Sequence, residues 1–318
     1  MLTPVCVITG FLGSGKTTLI GRLLADPGYA RTAVIVNEFG EIALDHDLIA
    51  RGDETLLQLS TGCLCCAIRT DLVDTLLDLA ARREAGEIGF ERVVIETSGL
   101  ADPAPILHAL MTDPALGARF RVGAVVVLVD AVLGEGTLGA QVEAARQVAF
   151  ADLVVVTKTD VAALSDGLRT AIARANPAVE VVAELPAMAV LFARARTYTG
   201  APAAVHGDGI GACLIRRVAP VPALALTLLL EALAEQCGDK LLRVKGIFDV
   251  AEAPGQPAVV HAVQHVISPV TFLPSWPPGA RESRAVVIGR AIPPYFPARL
   301  LDAICAEVED EGRLQRGA

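Results

Sequence analysis

A strand, a glycine-rich loop and a helix near the N-terminus form a phosphate-binding motif. The loop reads Gly10-x-x-x-x-Gly15-Lys16-Thr17 and follows the apolar run Val5-Cys6-Val7-Ile8. Glycines let backbone N–H groups converge on phosphate oxygens, the lysine reaches the β- and γ-phosphates, and the threonine hydroxyl can ligate Mg²⁺. Because this combination rarely arises by chance, we interpret it as a nucleoside triphosphate site and not as an ordinary glycine turn.

Two other polar segments also follow apolar runs. Glu96-Thr97-Ser98-Gly99 comes after Arg92–Ile95, and Thr157-Lys158-Thr159-Asp160 comes after Asp152–Val156. A carboxylate and a flexible turn at the end of a buried strand suit an acid that faces Mg²⁺ and a sensor of the γ-phosphate. Near-continuous apolar strands that alternate with helical segments predict a parallel sheet covered on both faces, with ligands at the carboxyl ends of the strands.

Three of the seven cysteines fall within four positions, Cys63, Cys65 and Cys66, just before a helical stretch from Ile68 to Arg82. A loop at a helix N-terminus lowers the pKa of a thiol and favours the thiolate that binds metal. The alternative is that the three pack as small apolar residues, but adjacent side chains cannot all face one core. We therefore predict a metal site. The dispersed cysteines are predicted to pack in the core, namely Cys6, Cys213, Cys237 and Cys305.

The composition predicts a compact protein of two domains. The chain has 318 residues, of which 53% are hydrophobic, and it contains no apolar run long enough for a membrane span. The N-terminal residues lack the basic region of a secretory signal, so we expect a cytoplasmic protein. A net charge of −9 argues against nucleic acid as a partner.

A change to Gly, Ala, Pro and polar residues between Thr197 and Gly211 is typical of a linker. We predict an α/β P-loop NTPase domain with a mainly parallel sheet at residues 1–200, a linker at 201–210 and a smaller α+β domain at 211–318. The elements expected in the second domain are a helix at Ala223–Cys237, strands at Leu241–Val250, Val259–Ile267 and Ala285–Ile288, and a helix at Pro297–Val308.

From about Val5 to Arg290 the chain resembles the CobW family of P-loop GTPases, which are proposed nucleotide-dependent metallochaperones. The resemblance is carried by the segments GFLGSGKTT, NEFGE, GCLCC, ETSGLADP, TKTD and LLRVKG. It implies that Glu96 lies beside Mg²⁺, that Gly99 lies at the γ-phosphate, and that Asp160 binds guanine while the Lys158 stem packs on the base. It also implies a set of residues that bind phosphates and Mg²⁺: Gly10, Gly13, Ser14, Gly15, Lys16, Thr17 and Thr18.

The sequence departs from that family in two ways. Thr157 stands where GTPases often have Asn, and a hydroxyl lacks the paired donor and acceptor of an amide, so guanine preference is less secure. Many family members carry a histidine-rich stretch between the domains, whereas this linker has only His206. His265 could bind metal, but a lone histidine on a strand is more often structural.

A tetrahedral site needs one ligand beyond the three thiolates. We expect Glu41, in a nucleotide-sensing loop, to supply it, with Glu38 as the alternative. Zinc is the ion expected from the ligand chemistry, and cobalt is a rival.

The predicted function is a Mg²⁺-dependent GTPase that loads a transition metal and delivers it to a metalloprotein client. Its intrinsic hydrolysis should be slow because the sequence shows no clear arginine finger or catalytic glutamine. The alternatives are a metal sensor or buffer that binds nucleotide without hydrolysis, and an ATP-dependent small-molecule kinase.

Overall fold

The apolar runs of the N-terminal part become the strands of one sheet. We describe a computed structural model for residues 2–37, 56–58, 65–184, 209–277 and 281–317. Each strand of this sheet pairs in parallel with its neighbour, in the order β3-β2-β4-β1-β5-β6-β7. The strands are β1 (Thr3–Gly10), β2 (Thr32–Asn37), β3 (Leu56–Gln58), β4 (Arg92–Thr97), β5 (Phe120–Asp130), β6 (Leu153–Thr157) and β7 (Glu180–Val182).

In the described part of this domain, helices lie between β1 and β2, between β3 and β4, and between each later pair of consecutive strands, as parallel pairing requires. They are α1 (Lys16–Ala25), α2 (Cys65–Glu84), α3 (Ala104–Thr112), α4 (Pro114–Gly117), α5 (Gly134–Ala140), α6 (Val142–Phe150) and α7 (Asp166–Ala175). One core cluster joins Ile20 and Leu23 of α1 to Cys6 and Ile8 of β1. Val5 and Val7 point to the opposite face and are also fully buried. The predicted parallel sheet covered on both faces is therefore confirmed.

The C-terminal part folds around an antiparallel sheet, whose strands have the order β11-β10-β9-β13-β8, with β12 paired to β10. Two helices pack with this sheet around a second core. The elements are β8 (Ile210–Arg217), α8 (Ala223–Cys237), β9 (Leu241–Phe248), β10 (Ala258–Val263), β11 (Val266–Ile267), β12 (Thr271–Phe272), β13 (Ser283–Arg290) and α9 (Phe296–Gly317).

The structure corrects several predicted elements. The single strand expected at Val259–Ile267 is a hairpin, because β10 turns at Gln264 (φ 51°) and returns as β11. Strand β8 begins at Ile210, inside the stretch that was assigned to a linker from its composition. The separation of the two sheets into two compact units agrees with two domains. The bounds 1–200, 201–210 and 211–318 stay a prediction, since residues 185–208 lie outside the described part.

Within the described residues, no helix combines the length and the apolar character that a bilayer span requires.

Gly246, the last residue of the LLRVKG segment, pairs with Ala285 where β9 lies against β13. A Cβ built there would lie 2.4 Å from Ala285 Cβ and 2.8 Å from the carbonyl oxygen of Arg284. We predict that Gly246→Ala lowers the free energy of unfolding of this unit by about 1–3 kcal/mol, because the strand backbone must shift. Denaturant unfolding measures the change.

The matched control is Gly136→Ala in α5, where a Cβ would meet no atom within 4 Å. Helix propensity makes this change neutral or stabilising by up to about 1 kcal/mol. Equal unfolding free energies for Gly246→Ala and the wild type would contradict the steric argument.

Candidate nucleotide site

The glycine-rich loop lies between the end of β1 at Gly10 and the start of α1 at Lys16. Gly15 occupies the N-cap position with φ 90°, a left-handed conformation that favours glycine, and it provides no side-chain cap to the helix. The first N–H groups of α1 therefore remain available to an anion at the positive end of the helix dipole. This is the strand, loop and helix arrangement expected for phosphate binding.

Lys16 is held over this loop by its own backbone. Its side chain is buried, and Nζ donates hydrogen bonds to the carbonyl oxygens of Gly10 at 3.0 Å and Phe11 at 3.4 Å. These contacts fix the ammonium at the edge where the loop glycines lie. A positive charge placed in this way can bind a phosphate with little loss of side-chain entropy.

The hydroxyl of Thr17 and the carboxylate of Glu96 face each other. Thr17 Oγ1 donates to Glu96 Oε1 at 3.5 Å, and Glu96 is only 2% exposed. Parallel pairing of Ile8 with Glu96 brings the acid from β4 next to the loop that follows β1. A hydroxyl and a carboxylate oxygen are ligands that suit Mg²⁺, so the donor set fits the ion predicted there.

The loop after β4 packs directly on the glycine-rich loop. A Cβ at Gly99 would lie 2.5 Å from Leu12 Cδ2 and 2.9 Å from Leu12 Cα, so only glycine allows this approach. Nearby, at the ends of β4 and β1, the buried Thr97 Oγ1 donates a hydrogen bond to Thr9 Oγ1 at 2.7 Å. The structure thus brings Gly99 beside the phosphate loop, and its position at a γ-phosphate stays a prediction.

A cavity of about 580 Å³ lies on the other flank of α1 and is lined by Gly15, Thr18, Thr157, Lys158 and Asp160 among others. Thr157 Oγ1 donates to the carbonyl oxygen of Ser14 at 2.7 Å. This hydroxyl therefore ties the end of β6 to the phosphate loop. Thr157, which the sequence marked as a departure, has a structural function at this site.

An ion pair that the sequence analysis did not predict lies behind this cavity. Lys158, in a left-handed conformation (φ 56°), places Nζ 2.5 Å from Asp130 Oδ2 at the end of β5. Asp130 Oδ1 also accepts from the N–H groups of Val132 at 2.7 Å and Leu133 at 3.4 Å. Burial alone would raise the pKa of Asp130, but Lys158 and the two N–H groups outweigh it and hold the pKa below its usual value.

A smaller cavity of about 160 Å³ adjoins Phe11, Ser14, Asp130 and Gln147. Gln147 of α6 is another residue that the sequence analysis missed, and its side chain bonds to the loop after β4. Nothing in a helical segment rich in Ala and Val marks one glutamine as special, so only tertiary structure could reveal it.

The predicted transition-metal ligands fall mostly outside the described residues. Glu41, the alternative Glu38, and Cys63 lie there, and so does His206. Cys65 and Cys66 are the first two residues of α2, and only their backbone is described, so the prediction of a helix N-terminus holds but these two belong to the helix and not to a loop. Across the described ranges, no group of three or more His, Cys, Asp and Glu side chains is arranged to hold an ion.

The other cysteines and His265 have clear positions. Cys6, Cys213, Cys237 and Cys305 are free and buried, as predicted. Burial raises the pKa of Cys213 to about 11 and raises that of Cys6 further, so these thiols stay protonated at neutral pH. His265 lies in the turn between β10 and β11 and not on a strand.

Comparison with known proteins agrees with this geometry. Residues 4–183 match the family model "CobW/HypB/UreG, nucleotide-binding domain", and residues 210–305 match "Cobalamin synthesis protein cobW C-terminal domain". The zinc chaperone YjiA of Escherichia coli is 33% identical over 307 residues, which are 92% of this chain and 96% of YjiA. The zinc chaperone CobW of Pseudomonas aeruginosa is 34% identical over 215 residues, which cover 58% of this chain and 54% of that protein.

A solved structure agrees along nearly the whole chain. The Zn(II)-bound YjiA GTPase from E. coli superposes with a TM-score of 0.73 at 27% identity and covers 96% of this chain and 99% of the other. With a family model across more than half of its residues, a phosphate loop of the expected geometry and a second domain that also matches, this chain belongs to the CobW family of P-loop nucleotide-binding proteins.

Proposed function

We propose that this protein is a Mg²⁺-dependent GTPase that binds Zn²⁺ and transfers it to a client metalloprotein. The proposal rests above all on one observation. A relative named as a zinc chaperone matches 92% of the chain, and the family's nucleotide-binding model covers residues 4–183, which include Lys16, Thr17 and Glu96 of the proposed phosphate site. Relatives in two yeasts, 32% and 35% identical over shorter stretches, are named zinc-regulated GTPase metalloprotein activators.

Different residues of the site would bind different parts of GTP. Gly13, Ser14 and Gly15 would present backbone N–H groups to the phosphates, and Lys16 would neutralise the β- and γ-phosphates. Thr17 and Glu96 would hold Mg²⁺, which supplies positive charge next to the phosphate oxygens when bound. Gly99 would lie against the γ-phosphate, and Asp160 would accept the guanine N–H groups at the mouth of the larger cavity.

The order of the strands supports a link between nucleotide and metal. Strands β3, β2 and β4 are adjacent, with Val36 paired to both Gln58 and Glu96. Asn37 ends β2 four residues before Glu41, and Gln58 ends β3 five residues before Cys63. Five residues span at most about 18 Å, so both predicted ligand segments leave the sheet within reach of the edge that holds Glu96.

Zinc is therefore the cargo in this proposal, held by Cys63, Cys65, Cys66 and Glu41. Three thiolates and a carboxylate suit a tetrahedral Zn²⁺ site, and the positive end of α2 favours the thiolates of Cys65 and Cys66. GTP would assemble this site, and hydrolysis would loosen it so that the ion can leave. Cobalt remains the competing ion, because thiolates also bind Co²⁺.

Lys16→Ala should reduce GTP hydrolysis about 100-fold or more, because the developing phosphate charge loses a preorganised donor. Lys240→Ala, an exposed lysine in the C-terminal unit, is the matched control and should hydrolyse GTP at the wild-type rate. Steady-state phosphate release measures both. If Lys16→Ala keeps full transfer of zinc to a client without hydrolysis, the protein is a buffer and not a GTP-driven chaperone.

Thr157→Val should weaken GTP and GDP binding alike, by roughly fivefold, because it removes one hydrogen bond between β6 and the phosphate loop. Thr170→Val, at an exposed residue whose hydroxyl donates to the carbonyl oxygen of Asp166 in its own helix, should leave both affinities unchanged. Fluorescent nucleotide titration gives the constants, and ATP in the same titration tests base preference. Tighter binding of ATP than of GTP would support the kinase alternative.

Zinc affinity should rise about tenfold or more when a non-hydrolysable GTP analogue replaces GDP, because the γ-phosphate orders the segment that contains Glu41. Competition with a chromophoric chelator measures the affinity in solution. Occupancy in a crystal is a weaker criterion, since a structure exists of a Zn(II)-bound YjiA triple mutant in which one glutamate and two cysteines are replaced by alanine.

Replacing Cys65 and Cys66 together by serine should abolish this dependence on nucleotide. Glu87→Ala, at an exposed acid three residues after the end of α2, should preserve it. Equal zinc affinities with the GTP analogue, with GDP and with no nucleotide would refute the coupling.

A further inference from the structure

The side chain of Gln147 holds the loop that follows β4. Its Nε2 donates hydrogen bonds to the carbonyl oxygens of Gly99 and Ala101, each at 3.1 Å. Gln147 is 1% exposed and lies on α6, so the donor comes from a helix and not from a flexible loop. A single amide thus fixes two carbonyl groups, two residues apart, in the segment predicted to contact the γ-phosphate.

The orientation of this amide follows from its neighbours. Both facing atoms are carbonyl oxygens, which only accept, so the nitrogen and not the oxygen of the side chain must point to them. Burial makes these bonds matter more, because a carbonyl that loses its donor in the interior is not compensated by water. The arrangement is therefore specific for a side chain with two N–H donors.

The preceding residue of α6 provides a second tie to the same loop. Arg146 forms an ion pair with Asp102 at 2.8 Å, and the other oxygen of Asp102 accepts from the N–H of Ala104 at the start of α3 at 3.0 Å. Gly99 itself lies against Leu12 of the phosphate loop. The loop is consequently held between α6 on one side and the phosphate loop on the other.

We infer that Gln147 is the positioning residue that lets the site distinguish GTP from GDP. It holds Gly99 at the distance from the phosphate loop at which a γ-phosphate can be bound, and Arg146 supports it through Asp102. The inference rests on the proposed GTPase function, since it concerns the same site. It assigns to α6 a task that the sequence motifs do not mark.

In this inference Gln147 acts through the loop and not on the attacking water. Both of its N–H groups bond to the carbonyl oxygens of Gly99 and Ala101, and its side chain is only 1% exposed. Its effect must therefore pass through the position of the loop. This distinguishes it from the water-orienting glutamine of other GTPases.

The test compares Gln147→Met with Gln141→Met. Methionine conserves the volume and removes both donors, and Gln141 is an exposed residue at the N-cap of the same helix whose side chain makes no cap bond. The affinities of the full-length protein for a non-hydrolysable GTP analogue and for GDP are measured, together with kcat and KM for GTP. Arg146→Met is a second variant. Because Arg146 is partly exposed, its replacement should disturb folding less than the replacement of the buried Gln147.

Gln147→Met should weaken the binding of the GTP analogue roughly 5- to 30-fold relative to the binding of GDP, and it should lower kcat. Gln141→Met should behave as the wild type. Arg146→Met should change the same ratio in the same direction by a smaller factor. A merely structural role would weaken the binding of both nucleotides equally. A role in positioning the loop would weaken mainly the GTP analogue, because GDP lacks the phosphate that the loop is proposed to contact.

Suppose that the wild type prefers the GTP analogue and hydrolyses GTP. If the ratio of the two affinities is then unchanged in both Gln147→Met and Arg146→Met, this inference alone is overturned. A wild type that neither hydrolyses GTP nor distinguishes it from GDP overturns the proposed function itself.

Discussion

Parallel pairing of β1 with β4 on one side and β5 on the other is the constraint from which the site follows. In parallel strands all carboxyl ends meet at one edge, so loops that are far apart in sequence become neighbours. Ile8 pairs with both Glu96 and Val126, which brings the phosphate loop, the acid of β4 and Asp130 of β5 to the same edge. The contact between Thr17 and Glu96 depends on this register, because a shift of one residue would turn Glu96 to the opposite face.

The polar contacts at this edge offset the free-energy cost of burying charged side chains. Glu96 and Lys16 are buried charges, which are costly unless they are paired or hydrogen-bonded. Lys16 is held by loop carbonyls, and Glu96 receives the Thr17 hydroxyl, so each has protein contacts before a ligand arrives. Lys158 and Asp130 similarly support each other beside the larger cavity. The site is organised in advance, and a nucleotide therefore need not order most of the groups that bind it.

Sequence alone predicted the elements whose signals are local. Continuous apolar runs marked β1, β4 and β6, and the glycine spacing marked the phosphate loop. Strand β7 was missed because Glu180–Val182 is short and only partly buried, and β8 was missed because its glycine-rich beginning resembled a linker. Thr157 and Gln147 could not be interpreted correctly, since their partners, Ser14 and Gly99, are about 50 or more residues away and become neighbours only through the sheet.

Coupling between nucleotide and metal must be reciprocal. If the γ-phosphate raises zinc affinity by some factor, zinc raises the affinity for GTP over GDP by the same factor. A metal-loaded protein would then retain GTP, and loss of the γ-phosphate would lower the affinity of the metal site so that the ion can leave. The strand order offers the route, because β2 lies between β3 and β4 and so connects the segment before the cysteines to Glu96. Rigid loops on the phosphate side would make this coupling efficient. If Gly99 is already fixed by Gln147 and Leu12, less of the γ-phosphate binding energy is used to position that loop, and more of it can act on the proposed metal ligands.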